Sequence, residues 1–373
     1  MQKREKLAAM GDERVLIPGL PDDVAIDCLA RVPHRFHSCL RHVSRGWRDL
    51  VTARAFFQHR DRIGAAEDLI FLVQAEDEGY GGGRVASGEG GKAAESLPPV
   101  YGVTLYNATD GEWRRSPAPV PLFAQCAAAG GKLVVAGGWD PATLEPVAEV
   151  RIHDLFSGIW RRGAPMSSPR SFFAIAAAGS TLFVAGGHDG AKNALRTAEA
   201  YDVAGDQWTP LPEMAEERDE CQGAVVGTGG FMAVSGYATE RQGQFGETAE
   251  WYDESGGEWR KVEGVWESGG GGGVVCGDGV RVWRVEKGGV SEYDVSGKGW
   301  RKVAAAPTEC MTATAAAAAR GDGGEVRVLV VGKEGEEGGN GVWVMEAGSG
   351  KWRRVEMPPG FRGFVFSAAA IRL

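Results

Sequence analysis

From residue 68 onwards the apolar residues come in short runs, each about the length of a strand and bounded by glycine or polar turn residues. One stretch displays the whole unit. Residues 125–129 read as an inner strand, Gly130-Gly131 as a turn, and 133–136 as a buried strand closing on Gly137-Gly138. A loop then runs to Pro146, 150–153 alternates as a third strand, Ser157-Gly158 turns, and an outer strand starts at Trp160. The same layout returns at 174–178, 182–185, Gly186-Gly187, 198–201 and Trp208. Six tryptophans mark it along the chain. Each stands six residues after an Asn, Asp or Glu that usually follows an aromatic ring: Tyr106-Asn107 to Trp113, His153-Asp154 to Trp160, Tyr201-Asp202 to Trp208, Tyr252-Asp253 to Trp259, Tyr293-Asp294 to Trp300, and Met345-Glu346 to Trp352. Their separations of 47, 48, 51, 41 and 52 residues hold four short strands with their turns, the period of a β-propeller blade.

The units are uneven. The glycine pair becomes Ser235-Gly236 in the fourth and Val331-Gly332 in the sixth, and the fifth has none, replaced by a tight hairpin at Lys287-Gly288-Gly289. The two ends of the region complement each other. Residues 69–73 resemble a second strand with no first strand before it, and 366–371 resemble a first strand with nothing after it. Joined, they make one blade, so the expected fold is an all-β six-bladed ring over 68–373 latched by its C-terminal strand. Removing 364–373 is expected to leave an unpaired edge.

Before residue 68 the period changes from strand to helix. Val24, Ala25, Cys28, Leu29 and Val32 fall on one helical face, with Asp22 and Asp23 at its start and Pro33 as its stop. A second stripe, Leu40, Val43, Trp47, Leu50 and Val51, follows and is broken near Ser44 and Gly46. The small all-α module this predicts, 16–62, buries little surface and is expected to lean on a partner. Residues 1–15 are charged, lack a following apolar segment of the signal-peptide kind, and are expected to be disordered.

Charge sharpens the division. The whole chain carries −9, yet residues 1–62 hold 12 basic and 8 acidic side chains, so the remainder is strongly acidic. An acidic propeller is a poor duplex binder, and nucleic acid is not expected as a partner. No run approaches the ~18 apolar residues of a membrane helix. The six cysteines form no CxxC pair and no dense disulfide pattern, which points to a soluble protein in a reducing compartment. Residues 79–99 and 267–273 are glycine-rich insertions without the strand and GKS/T context of a phosphate loop. His34, His37, Cys39 and His42 lack a second ligand pair, so a solvated basic face is the expectation rather than a metal site. Basic pairs follow five of the six tryptophans, as in Trp113-Arg114-Arg115; on outer strands such charges discourage edge pairing.

Three loops place an aromatic ring directly after the glycine pair or its equivalent: Trp139, His188 and Tyr237, with Asp140 and Asp189 following the first two. The connections between blades bring Arg170, Phe172, Arg218 and Asp219 to the same side. This ring of loops is the candidate partner-binding face, aromatic and Arg residues being common anchors, although the same residues also suit ordinary turns.

Leu20-Pro21-Asp22-Asp23, Cys28-Leu29, Val32-Pro33, Leu40, Val43-Ser44-Arg45, Trp47-Arg48 and Leu50 resemble, in order, the F-box, the helical motif that docks on the Skp adaptor of cullin ubiquitin ligases. The resemblance implies that Leu20 and Pro21 enter the adaptor, that Val24, Leu29, Val32 and Leu40 support them, and that Trp47 packs the last helix. The propeller units resemble kelch repeats. Some kelch propellers are copper oxidases, but here His153 and His188 are too few for such a ligand set, and no catalytic residue, cofactor or metal is expected. Together the two halves are similar to the plant F-box/kelch-repeat proteins, including the KISS ME DEADLY group. That likeness implies a receptor linked through a Skp-like adaptor to cullin-1, located in cytoplasm or nucleus, with phenylalanine ammonia-lyase or a type-B response regulator as candidate targets. The contrasting reading is a kelch scaffold whose helices engage no adaptor.

Overall fold

The computed structural model describes residues 15–76, 98–227, 230–266, 273–294, 299–321, 324–335 and 339–373. The expected disordered N-terminus and most of the two glycine-rich insertions lie outside them.

Four helices open the described chain: α1 (Asp22–Ala30), α2 (His37–Val43), α3 (Arg45–Thr52) and α4 (Arg54–Arg62). The second apolar stripe is split because Ser44 adopts an extended backbone, from which its hydroxyl accepts the Trp47 amide and caps α3. On α1 the buried residues are Ala25, Leu29 and Ala30, while Val24 and Cys28 face outwards.

The strands form six antiparallel four-stranded sheets around one axis. The first blade holds β1 (Asp68–Ala75), β2 (Tyr101–Asn107) and β3 (Trp113–Val120). The second has β4 (Gln125–Ala129), β5 (Lys132–Ala136), β6 (Val150–Asp154) and β7 (Ile159–Arg162). The third has β8 (Ala174–Ala178), β9 (Thr181–Ala185), β10 (Ala198–Asp202) and β11 (Gln207–Leu211). The fourth has β12 (Gln222–Val226), β13 (Gly230–Val234), β14 (Ala249–Asp253) and β15 (Glu258–Val262). The fifth has β16 (Val274–Gly277), β17 (Val282–Glu286), β18 (Gly289–Asp294) and β19 (Gly299–Ala304). The sixth has β20 (Cys310–Arg320), β21 (Val326–Glu334), β22 (Asn340–Glu346) and β23 (Trp352–Val355). The innermost strand of the first blade is β24 (Val365–Arg372), paired with β1 in the register Leu69 to Ile371 and Phe71 to Ala369.

The repeat tryptophans join neighbouring blades. In five of the six, the indole N–H donates to a carbonyl on the segment leaving the preceding blade: Trp208 to Ala164, Trp259 to Pro212, Trp300 to Val265, Trp352 to Ala305, and Trp113 to Glu356 across the ring junction, at 2.6–3.1 Å. The facing aromatic packs on the indole within each blade, with ring centroids 4.6 Å apart for Tyr106 and Trp113 and 4.7 Å for Tyr201 and Trp208. Nearer the axis, the Gln125 amide donates to the Phe173 carbonyl and Ser367 Oγ accepts the Cys126 amide, tying inner strands of successive blades. The outer-strand basic residues meet carboxylates: Arg161 meets Asp206, Lys261 meets Glu216, and Arg354 meets Glu334.

Strand direction defines two faces. Every inner strand runs from one face, here the upper, to the other, so the upper face carries the loops between second and third strands and the connections between blades. The lower face carries the short turns. The helical module enters blade one at Asp68, from below, and packs there. Phe57 stacks near Phe156 with centroids 4.4 Å apart, His34 Nε2 lies 3.0 Å from the Leu155 carbonyl, and Arg35 reaches Asp110 and Glu112 at 2.9 and 3.0 Å. Arg60, buried, pairs with Glu67 at 2.5 Å, and Glu67 also accepts the Asn107 side-chain amide. Leu29, Val51, Phe56 and Phe57 share one apolar core with Leu69, Val73 and Leu155. The module leans on its own propeller.

Of the expected solvated face, Cys39 and His42 are exposed, whereas His34 and His37 are not. His37 is 3% exposed, packed inside the module against Arg60, Phe56 and Phe57, and His34 is half-buried because the propeller reaches it at Leu155. Burial, with His34 and the Arg60 guanidinium nearby, pushes the His37 imidazole down to about 3.

Candidate protein-binding surfaces

The first surface lies on the side of the helical module away from the propeller core. Leu20 is 37% exposed and Val24 42%, with Pro21 and Cys28 also open to solvent. Leu20, Val24 and Cys28 follow one another at helical spacing, and Pro21, with its fixed φ of −57°, sets the start of α1 between them. Phe36 and Val43 are exposed on the same module, and exposed apolar surface of this kind marks a place for a partner. Of the other expected contacts, Val32 and Leu40 are partly buried and Trp47 is held by its indole N–H on the Leu16 carbonyl at 2.7 Å. Leu29, 3% exposed, is withdrawn from this surface: it belongs to the core shared with blade one and supports the strip from behind.

The second surface is the upper face. In blades two to four its loops are built to one plan. The residue following the glycine pair, or its equivalent, bridges to the connection entering the same blade: Trp139 to Leu122, His188 to Ser171, and Tyr237 to Asp219. Glycine is required for that approach, since at Gly138 (φ +89°) or Gly187 (φ +81°) a Cβ would run into the Leu122 or Ser171 carbonyl. The next residue of each connection takes a left-handed backbone: Phe123 at φ +54°, Phe172 at +55° and Glu220 at +49°. For a bulky side chain that conformation costs on the order of 1 kcal/mol, and here it accompanies side chains that gather around the mouth of the axial channel. Phe172 lies 5.5 Å from Phe123, 5.2 Å from Phe366 and 5.5 Å from His188, with Trp139 at 5.8 Å, measured between ring centroids.

Two of the sequence-derived anchors leave this surface. Arg170 and Arg218 are 0% and 2% exposed. Each lies beneath the loops, paired with a glutamate of the third strand: Arg170 with Glu199 at 3.1 Å and Arg218 with Glu250 at 3.2 Å. Arg170 also donates to the carbonyls of Gly186 and Thr197, and Arg218 to those of Ser235 and Thr248. They hold the loops from below instead of meeting a partner. Asp140 and Asp189 are also engaged internally. Asp140 Oδ1 accepts the amides of Ala142 and Thr143, which hold its carboxyl below the usual range, and Asp189 Oδ1 accepts those of Ala191 and Asn193. His188 is buried, its Nδ1 2.9 Å from Asp219, and its Nε2 has no hydrogen-bond partner among the described residues. Tyr237 is buried as a ring against Phe245 and donates its hydroxyl to Glu220 at 2.8 Å. Burial and that carboxylate push its phenol upwards. What remains open is a mouth formed by Trp139, Phe172, Phe123, Phe366 and Phe364, with Glu220 at its edge.

Below the mouth is a channel of about 450 Å³ lined mostly by alanine and backbone of the inner strands. Cys126 and Cys221 line it, and burial pushes their thiols up to about 12 and about 11, away from thiolate chemistry. Among the described residues no three His, Cys, Asp or Glu side chains are placed to share a metal ion, and no helix is long and apolar enough to cross a membrane.

Comparison with known proteins agrees with this two-part build. The F-box domain matches residues 17–59 and the kelch motif matches 169–215, the third blade. The F-box/kelch-repeat protein SKIP20 of Arabidopsis thaliana is 38% identical over 406 aligned positions, covering 95% of this chain and 96% of that protein. The F-box/kelch-repeat protein At2g44130 of the same plant is 42% identical over 269, covering 67% and 66%. With helices over the F-box match and a six-bladed ring behind it, the chain belongs to the F-box/kelch-repeat proteins.

Proposed function

We propose that this chain is the substrate-recognition subunit of a Skp–cullin–F-box ubiquitin ligase. The observation that carries the reading is the placement of its two open surfaces: the Leu20–Pro21–Val24 strip lies on the module below the ring, and the aromatic mouth opens above it. The strip takes a Skp-type adaptor and, through it, cullin-1; the mouth takes a target protein. Holding both on one body raises the effective concentration of the target at the ligase, which is the whole of the contribution asked of a chain without catalysis of its own. Phenylalanine ammonia-lyase and a type-B response regulator are candidate targets by family likeness, and cytoplasm or nucleus is the corresponding location.

Co-purification with a Skp-type adaptor tests the reading. Wild type is expected to retain the adaptor and the Leu20→Ala/Pro21→Ala chain to lose it, with an unchanged melting temperature because both side chains are exposed. Equal, background recovery from the two chains would favour a kelch scaffold without a ligase role. Trp139→Ala is expected to lose target while keeping adaptor.

A further inference from the structure

Glu220 is the only charged side chain among the described residues that line the channel. Phe172, Phe245, Phe364 and Phe366 line the same channel, and Phe245 packs on Tyr237, the residue that donates to Glu220. It stands at the position that Phe123 and Phe172 occupy in the two preceding blades, with the same left-handed backbone, so the repeat aims it as it aims them. Tyr237 donates to one carboxylate oxygen and orients the group; no cationic side chain pairs with it among the described residues. The surrounding connection deepens the negative field. Residues 212–220 carry five carboxylates; Glu213 is paired with Arg196, Glu216 with Lys261 and Arg218, and Asp219 lies on His188, while Glu217 accepts from Thr239 and adds to the charge of Glu220.

A carboxylate sharing a channel mouth with aromatic side chains suits a cation: the carboxylate, open to solvent here, supplies the charge-assisted hydrogen bond and the rings supply cation–π attraction. We infer that the upper mouth receives a lysine or arginine side chain of a partner protein, paired with Glu220 and flanked by Phe172, Phe245, Phe364 and Phe366. His188 adds to this. Its Nδ1 faces Asp219, and its Nε2, buried and without a hydrogen-bond partner among the described residues, is a further polar atom in the same aromatic group. The inference rests on the upper face being the partner-binding face and specifies what that face selects: a basic residue in an apolar setting, in preference to an acidic or phosphorylated segment.

Random octapeptides displayed on phage and panned on the full-length chain supply the probe. Recovered sequences are remade as fluorescein-labelled peptides and titrated by polarisation against wild type, Glu220→Gln, Glu220→Asp and Trp139→Ala. The expected peptides carry a Lys or Arg beside apolar residues. They are expected to bind Glu220→Gln about tenfold or more weakly, as loss of a charge-assisted bond implies, and to retain most affinity for Glu220→Asp. Replacing the peptide's own cation by Met is expected to cause the same loss on wild type and little further loss on Glu220→Gln. Glu220→Gln keeps the side-chain volume, and matching melting curves confirm that it folds. Peptides that need Trp139 but carry no cation, or that ignore Glu220→Gln, overturn this inference and leave the upper-face reading standing. Peptides indifferent to both positions, or no peptide above background, count against both.

Discussion

The two faces of the ring use the same chemistry to opposite ends. Below, the buried Arg60–Glu67 pair, the Phe57–Phe156 stack and the exposed Arg35–Asp110 contact fasten the helical module to blades one and two, and little apolar surface is left at the junction. Above, buried Arg170–Glu199 and Arg218–Glu250 pairs hold only the loops, and the aromatic side chains they support are left facing an open channel. A buried ion pair contributes little net stability compared with an apolar replacement, but removing one partner is costly, so such pairs fix geometry more than they add cohesion. Below they fix the angle between module and ring; above they fix the shape of a mouth.

The largest expected effect comes from removing what both faces share. Deleting 365–373 takes away β24 and leaves β1 without its inner neighbour; loss of a cooperative thermal transition, with aggregation, is expected in calorimetry and light scattering. A narrower break separates the faces. Arg60→Leu leaves Glu67 buried without its cation and is expected to destabilise by about 3–5 kcal/mol in chemical denaturation. Hydrogen exchange is expected to rise in α4 and stay unchanged in β10 and β14; equal loosening above would mean that the faces are not separately held. The mildest probe is acid. His37 stays neutral in the fold down to about pH 3, while the unfolded chain takes up its proton near the ordinary 6.5. Its contribution is therefore complete above about pH 6.5 and falls on acidification towards 3, by at most about 1.4 kcal/mol per pH unit. Denaturation midpoints at pH 7.5, 5.5 and 4.5 check this, and in His37→Gln the corresponding part of the slope is expected to vanish.

The ring was readable because its repeat is carried by large residues at fixed spacing. The tryptophans give the blade count, and the hydrophobic runs at 69–73 and 366–371 each lack the other, which β1 and β24 resolve by pairing. The indole links between blades were not readable, because a linear pattern does not say which carbonyl an N–H reaches. Arg170 and Arg218 misled for a similar reason: an arginine in a connection reads as surface until its counter-ion is seen. The signal lay elsewhere, in Glu199 and Glu250, charges at the same place within strands that are otherwise buried. Phe123 and Glu220 stand at the same step of their connections as Phe172, each left-handed and each following a bridged residue, a correspondence carried by the backbone and not by residue type. The sequence pattern points to Phe172 alone, since residue type does not reveal a shared backbone position. For the helices the order of motif residues was legible but not their partition, and burial of Leu29 alongside exposure of Val24 follows from which side the propeller covers.

The pairing of β24 with β1 also has a cost in time. β1 leaves the ribosome nearly 300 residues before β24 does, a wait of roughly 15–60 s at ordinary rates of synthesis. Throughout it, a strand of Leu69, Ile70, Phe71, Leu72 and Val73 has one edge unpaired. Glu67, the residue that receives Arg60, waits as well, because its own backbone is held on both sides by Leu373. A nascent chain therefore displays its adaptor strip long before the body that positions a target is finished, and a product broken off early carries the first without the second.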